Sequence, residues 1–149
     1  MSRISYFAYG ANLDFRRFRR RCPRATVLGR ARLPDHRLAF TRYSRAEKGG
    51  VADIVAEAGA SVWGVLYEID ASSFGALDEY EGAPRAYRRE TLRVIDESGV
   101  EREAIAYIAN KTGDFAPSRA YLAQIARGAR EHGLPEAYVL GIERVRTHA

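Results

Sequence analysis

Ser61-Val62-Trp63-Gly64-Val65-Leu66-Tyr67-Glu68-Ile69 decides the fold class. Trp63, Val65, Tyr67 and Ile69 fall at every second position, the period of a strand with one covered face. Short strand signals recur on both sides of it. Upstream, residues 51–55 follow Gly49-Gly50, residues 25–32 and 37–42 flank the turn pair Pro34-Asp35, and residues 4–8 run apolar toward Gly10. Downstream, residues 89–96 and 101–109 flank Glu97-Ser98-Gly99 and read as a hairpin. The longest loop is expected over 44–50, where charges end at the glycine pair.

Helix signals interrupt the strands. Residues 12–21 suit a short helix with Asn12 as its cap. Residues 70–81 suit a second. Residues 118–132 suit a third, capped by Ser118, with Tyr121, Leu122, Ile125 and Ala129 as its apolar stripe and Gly133 and Pro135 as its stop. Residues 135–145 put Tyr138, Ile142 and Val145 in phase. Strands with helices placed between and after them, without regular alternation, predict an α+β fold: a small, mixed, mostly antiparallel curled sheet or barrel with flanking helices.

The 149 residues carry no repeat, low-complexity run or linker, so one domain over 1–149 is expected. No stretch approaches the roughly 20 apolar residues of a membrane span. The first ten residues lack the basic start, apolar middle and cleavage site of an export signal. The single cysteine, Cys22, allows no internal disulfide and fits a reducing compartment, so the cytoplasm is expected. Its position among arginines could lower a thiol pKa, but with no histidine nearby it reads as a partly buried, unreactive residue. His36, His132 and His148 stand apart, without ligand-spaced partners, so no metal site is expected. His132 reads as a cation at a helix C-terminus.

Three carboxylates sit together in Leu77-Asp78-Glu79-Tyr80-Glu81-Gly82. Helical phase separates them. At about 100° per residue, Glu81 lies about 20° from Phe74 and Glu79 about 140° from it. Glu81 therefore points with the apolar stripe and Glu79 toward solvent. A carboxyl pressed into an apolar setting has a raised pKa, which suits a general acid/base near neutral pH. An ordinary helix-end glutamate reaching past Gly82 fits the phase equally, since buried glutamates are uncommon. The second segment is Tyr6-Phe7-Ala8-Tyr9-Gly10-Ala11-Asn12-Leu13, a strand that turns at Gly10 into a helix. Such a turn admits close approach of a ligand, and amides at its start suit a carboxylate or an oxyanion.

Together these segments resemble a known family. Tyr9-Gly10-Ala11-Asn12-Leu13 is similar to the Tyr-Gly-Ser-Asn-Leu loop of the gamma-glutamylcyclotransferase-like family. In the family's order there follow Gly49-Gly50-Val51-Ala52, Val62-Trp63-Gly64-Val65, Leu77-Asp78-Glu79-Tyr80-Glu81-Gly82, Pro117-Ser118-Arg119-Ala120-Tyr121 and the stretch from Gly128-Ala129 through Gly133-Leu134-Pro135 to Tyr138. The resemblance spans nearly the whole chain. It implies a small mixed barrel and the cyclisation of a gamma-glutamyl group to 5-oxoproline with release of the attached amine. It implies Glu81 as the catalytic glutamate and a binding loop over Tyr6, Phe7, Ala8, Tyr9, Gly10, Ala11 and Asn12. It also implies pocket tyrosines at Tyr87 and Tyr121. No cofactor is implied, and the partner is a small gamma-glutamyl molecule whose leaving amine stays open. Ala11 stands where the family often has serine.

The charge pattern supports a competing reading. The net charge is +5, carried almost wholly by arginine, and Arg16, Arg17, Arg19, Arg20, Arg21 and Arg24 form a basic run around Phe18. Such a run can track a phosphate backbone. The preferred reading is a solvated helix face with Phe15 and Phe18 packed inward, since no nucleic-acid motif accompanies it. A non-catalytic binding module on the same fold is the third alternative, and the retained Glu81 argues against it.

Overall fold

The structure is a computed structural model and describes residues 2–148. Five strands close a barrel in the order β1-β3-β2-β4-β5. They are β1 (Arg3–Ala8), β2 (Thr26–Ser44), β3 (Gly49–Asp70), β4 (Tyr87–Asp96) and β5 (Glu101–Ala109). All neighbours pair antiparallel except β1 and β5, which meet in parallel at Tyr6 and Ile105. Four helices flank the sheet: α1 (Phe15–Arg21), α2 (Phe74–Glu81), α3 (Arg119–Glu131) and α4 (Glu136–Glu143).

The pair β2 and β3 is the frame of the barrel. Fully extended, each would run about 60–70 Å, too long for so small a sheet. Three register shifts bend the pair, at Val27/Gly29, Pro34/His36 and Phe40/Arg42. Bulges of this kind add local twist and let a strand turn a corner. Here the structure corrects the sequence reading. Pro34-Asp35 does not separate two strands. It forms a corner within one, where Asp35 takes φ 60° and its carboxylate accepts from the Gly59 amide at 3.0 Å.

The loop expected over 44–50 narrows to a tight turn at 45–48, and the long irregular segment is 110–118 instead. Backbone bonds bind that segment to β2, with Thr112 N donating to Thr41 O at 2.8 Å and Phe115 N to Phe40 O at 2.9 Å. Gly50 permits this approach, because any Cβ there would overlap the Phe115 carbonyl.

Helix starts follow side-chain chemistry. Ser118 caps α3 by accepting from Tyr121 N at 3.1 Å, as its position predicts. The cap of α1 is Asp14, which accepts from Arg17 N at 3.2 Å, and not Asn12. Residues Ala11–Leu13 form a separate 3-10 turn, and Asn12 is buried within it. The second predicted helix likewise opens with a 3-10 turn at Ala71–Ser73 before α2, which ends where Gly82 takes φ 68°.

One continuous core joins sheet and helices, including Phe7, Leu13, Phe18, Leu66, Tyr67, Leu77 and Ile125, all closed to solvent. β3 is covered on both faces, since Val62 and Leu66 are as buried as Val65, Tyr67 and Ile69. Phe15 and Phe18 of α1 pack on Tyr67, with ring centroids 5.0 and 4.7 Å away. That is the inward face expected of the arginine-rich helix.

Candidate active site

A cavity of about 380 Å³ opens between the β1 turn, the end of α2 and the upper part of β2 and β3. Tyr6, Tyr9, Gly10, Ala11 and Asn12 line one wall. Glu81, Tyr87 and Tyr121 line it from α2, β4 and α3. Phe7 and Ala8 do not reach it. Strand alternation turns Phe7 to the opposite face, where it pairs with Leu66, and Ala8 is covered.

Glu81 is the last residue of α2. Leu77 anchors that helix in the core and Glu79 is exposed, as helical phase predicts. The Glu81 carboxylate accepts from Asn12 Nδ2 at 3.1 Å. Burial pushes its pKa up to about 7, against the opposing pull of the Asn12 hydrogen bond and of the Arg21 and Arg17 charges. The result is a carboxyl that changes charge near neutral pH, with a cavity in front of it.

The tyrosines form a hydrogen-bonded frame. Tyr9 donates to the Tyr107 carbonyl at 2.6 Å, and Tyr87 donates to the Ala52 carbonyl at 2.6 Å. The Ala52 amide donates to the Tyr121 hydroxyl at 3.0 Å. Both backbone groups of Ala52 thus hold a cavity phenol, which explains the placement of the Gly49-Gly50-Val51-Ala52 segment. Tyr67 donates to Asn12 O at 2.7 Å and fixes the turn from below. Gly10 sits so close to β3 that a Cβ would stand 2.9 Å from the Ala52 methyl. The turn closes on itself through Leu13 N to Gly10 O at 3.0 Å and Asp14 N to Ala11 O at 3.1 Å.

Several lining residues carry no local signal. Tyr107 reaches the cavity from β5 and donates to Asp78 Oδ1 at 2.6 Å, while Asp78 pairs with Arg89 at 3.0 Å. Arg42 and Glu47 enter from the β2–β3 end. Arg17 and Tyr80 meet at 3.0 Å, and the Arg21 guanidinium carbon lies 3.2 Å from the centre of the Tyr80 ring. The i, i+4 spacing of Arg17 and Arg21 was the one available sign that these two members of the basic run share a face. Arg16, Arg19 and Arg20 stay exposed.

Asp53, Cys22 and His132 lie outside the cavity lining. Asp53 is fully buried and accepts from the Thr41 hydroxyl at 2.7 Å and the Ala109 amide at 3.1 Å, tying three strands together. Cys22 is buried and free, and burial raises its thiol pKa. The His132 ring lies 2.9 Å from Leu13 O. Among the described residues no group of three or more His, Cys, Asp or Glu is placed to hold a metal, and no helix is long and apolar enough to cross a membrane.

Comparison with known proteins agrees with this fold. Residues 61–142 match the AIG2-like family. The chain is 36% identical to the gamma-glutamylcyclotransferases of Mus musculus and Homo sapiens over 138 residues, covering 89% of this chain and 73% of each relative. A solved gamma-glutamyl cyclotransferase superposes with a TM-score of 0.94 at 32% identity, covering 99% of this chain and 90% of that one. With the fold, the motif order and these relatives in accord, the chain belongs to the AIG2-like gamma-glutamylcyclotransferase family of enzymes.

Proposed function

We propose that this chain cyclises a gamma-glutamyl amide to 5-oxoproline and releases the attached amine, with Glu81 as the general acid/base. The observation that carries the reading is the Glu81 carboxyl itself: half-buried, with its pKa raised by desolvation to about 7, and facing the cavity beside the Gly10-Ala11 turn. The substrate's α-ammonium must lose a proton to become a nucleophile. Glu81 takes that proton. The freed amine attacks the gamma-carbonyl carbon and closes a five-membered lactam. Glu81 then returns the proton to the departing amine, which also takes the proton left over on the lactam nitrogen.

In this reading Tyr9, Gly10, Ala11, Asn12, Tyr87 and Tyr121 shape the binding wall, and the first amides of the turn receive the substrate's carboxylate or oxyanion. No cofactor enters, because the nucleophile belongs to the substrate. The protein's main contribution is to fold the glutamyl chain into attack geometry, which can lower a barrier by about 7–11 kcal/mol. The cytoplasm is the proposed compartment, on the basis of the single free, buried cysteine.

The test is release of 5-oxoproline from a panel of gamma-glutamyl donors whose leaving group is an amino acid, a dipeptide as in glutathione, or the amine of a specialised metabolite. The panel identifies the leaving amine. Glu81→Gln preserves shape and the Asn12 contact but cannot cycle a proton, so turnover should fall at least ~10²-fold. Unchanged turnover in that variant would remove Glu81 from the mechanism.

A further inference from the structure

Five phenols of the cavity are buried or, at Tyr87, half-buried, and they differ in which way their hydrogen bonds run. Tyr9 donates to the Tyr107 carbonyl, Tyr87 to the Ala52 carbonyl and Tyr107 to Asp78. Each of these three has committed its only proton to the protein. Tyr121 and Tyr6 run the other way. Tyr121 accepts from the Ala52 amide, and Tyr6 accepts from Asn12 Nδ2 at 2.8 Å. A hydroxyl carries one donor and two acceptor sites, so a phenol that only accepts still has its proton to give.

The polarity at Tyr6 is not a free choice. An ionised carboxylate can only accept, so the Asn12 amide must turn its nitrogen toward Glu81. The same nitrogen reaches Tyr6 with its second proton. Tyr6 is thereby forced to accept, and its own proton is excluded from that contact. Among the described residues no protein acceptor takes it. Tyr6 is nearly closed to solvent yet lines the cavity.

We propose that Tyr6 is a second catalytic residue, whose phenolic proton is held for the gamma-carbonyl oxygen of the substrate. The proposal rests on the cyclisation reading above. Tyr6 and Glu81 sit on one nitrogen, so the group that loses a proton to Glu81 and the carbonyl it attacks both fall within reach of the pair. As the amine nitrogen bonds to the carbonyl carbon, the C=O π pair moves onto oxygen, with Glu81 already holding the proton it took from the ammonium. The Tyr6 O–H bond stays intact and its hydrogen bond to that oxygen strengthens. On collapse the pair returns, Glu81 gives its proton to the leaving nitrogen as that bond breaks, and the extra proton on the lactam nitrogen passes to the released amine, which departs as an ammonium. Burial, reinforced by the Glu81 charge, holds the Tyr6 phenol well above its ordinary pKa, so it remains a donor wherever Glu81 is ionised. Tyr121 offers its proton from the far wall and suits another oxygen of the same substrate.

The experiment compares Tyr6→Phe with wild type in steady-state 5-oxoproline release, with a thermal melt of each protein. Loss of one oxyanion donor should lower kcat about 10²–10³-fold with little change in KM. Site-specific 3-fluorotyrosine at position 6 keeps the shape and acidifies the phenol. Its kcat should differ measurably from wild type, a response that a packing role would not give, and it serves even if Tyr6→Phe folds poorly. Wild-type kcat in folded Tyr6→Phe, a loss confined to KM, or a kcat blind to fluorination would each overturn the proposal. Glu81→Gln runs alongside: if it alone is inactive, the acid/base reading stands without Tyr6, and if it is fully active the cyclisation mechanism fails first.

Discussion

Asn12 Nδ2 lies 3.1 Å from Glu81 Oε2, joining the turn after β1 to the last residue of α2. The bond favours the charged carboxylate, and it opposes the burial that raises the Glu81 pKa to about 7. Removing it should push that pKa higher. In Asn12→Ala the rising limb of kcat/KM against pH should lie at higher pH than in the wild type. Asn12→Asp adds a like charge and should move it further. A limb that stays in place while the plateau drops would give Asn12 a purely structural role.

The same carboxyl links pH to stability. Its folded pKa is raised from 4.5 to about 7, so the native state holds this proton over a range where the unfolded chain has lost it. Stability from this source is full below about 4.5 and declines as pH rises through 7. Glu81→Gln has no such decline. The variant should therefore gain on the wild type between pH 5 and 8, by up to about 3 kcal/mol at the upper end. Denaturant midpoints measured across that range test it, and parallel pH curves for the two proteins would show that burial leaves the Glu81 pKa unchanged.

Arg17 and Arg21 act on Glu81 through charge, and they also hold Tyr80 between them. Both lower the Glu81 pKa, so Arg21→Gln or Arg17→Gln should shift the rising limb upward, in the direction of Asn12→Ala. Both arginines are half-exposed, so salt screens them. Raising ionic strength should move the wild-type limb upward and shrink its distance from the arginine variants. The Asn12→Ala shift is short-range and should persist. Limbs indifferent to both salt and substitution would restrict the arginines to packing on Tyr80.

What could be read from the chain divides along a physical line. Alternation revealed the strand at 61–69, and helical phase set Glu81 inward and Glu79 outward, because each feature is local and periodic. Asn12 was read as a helix cap because cap preference is also local. Its bond to Glu81 spans 69 positions and leaves no trace in neighbouring residues. Pro34-Asp35 carries the same turn chemistry whether a strand ends or bends, so only the pairing of His36 with Ala56 reveals the corner. Phe7 entered the expected binding loop as part of a continuous run, although a strand presents only alternate residues to one face, and Ala8, on the Tyr6 side of β1, is covered. Tyr107, Arg42 and Glu47 reach the cavity through barrel closure alone.

Two glycines give opposite expectations. At Gly64 a Cβ would overlap the Ala8 carbonyl oxygen and stand 2.8 Å from Phe7 Cε1. Backbone is the obstacle, so β1 would have to move off β3, and β1 carries Tyr6 and the Gly10 turn. Gly64→Ala should cost about 1–3 kcal/mol and lower kcat as well. Gly75 lies in α2 with nothing within 4 Å of its would-be Cβ. There alanine removes only the conformational entropy of glycine, so Gly75→Ala should stabilise by roughly 0.5–1 kcal/mol and leave turnover unchanged. Thermal melts with parallel turnover measurements decide both. A Gly64→Ala protein with wild-type melting and kcat would mean that β1 can shift against β3 without disturbing Tyr6, and the close strand contact would then have no part in holding the site.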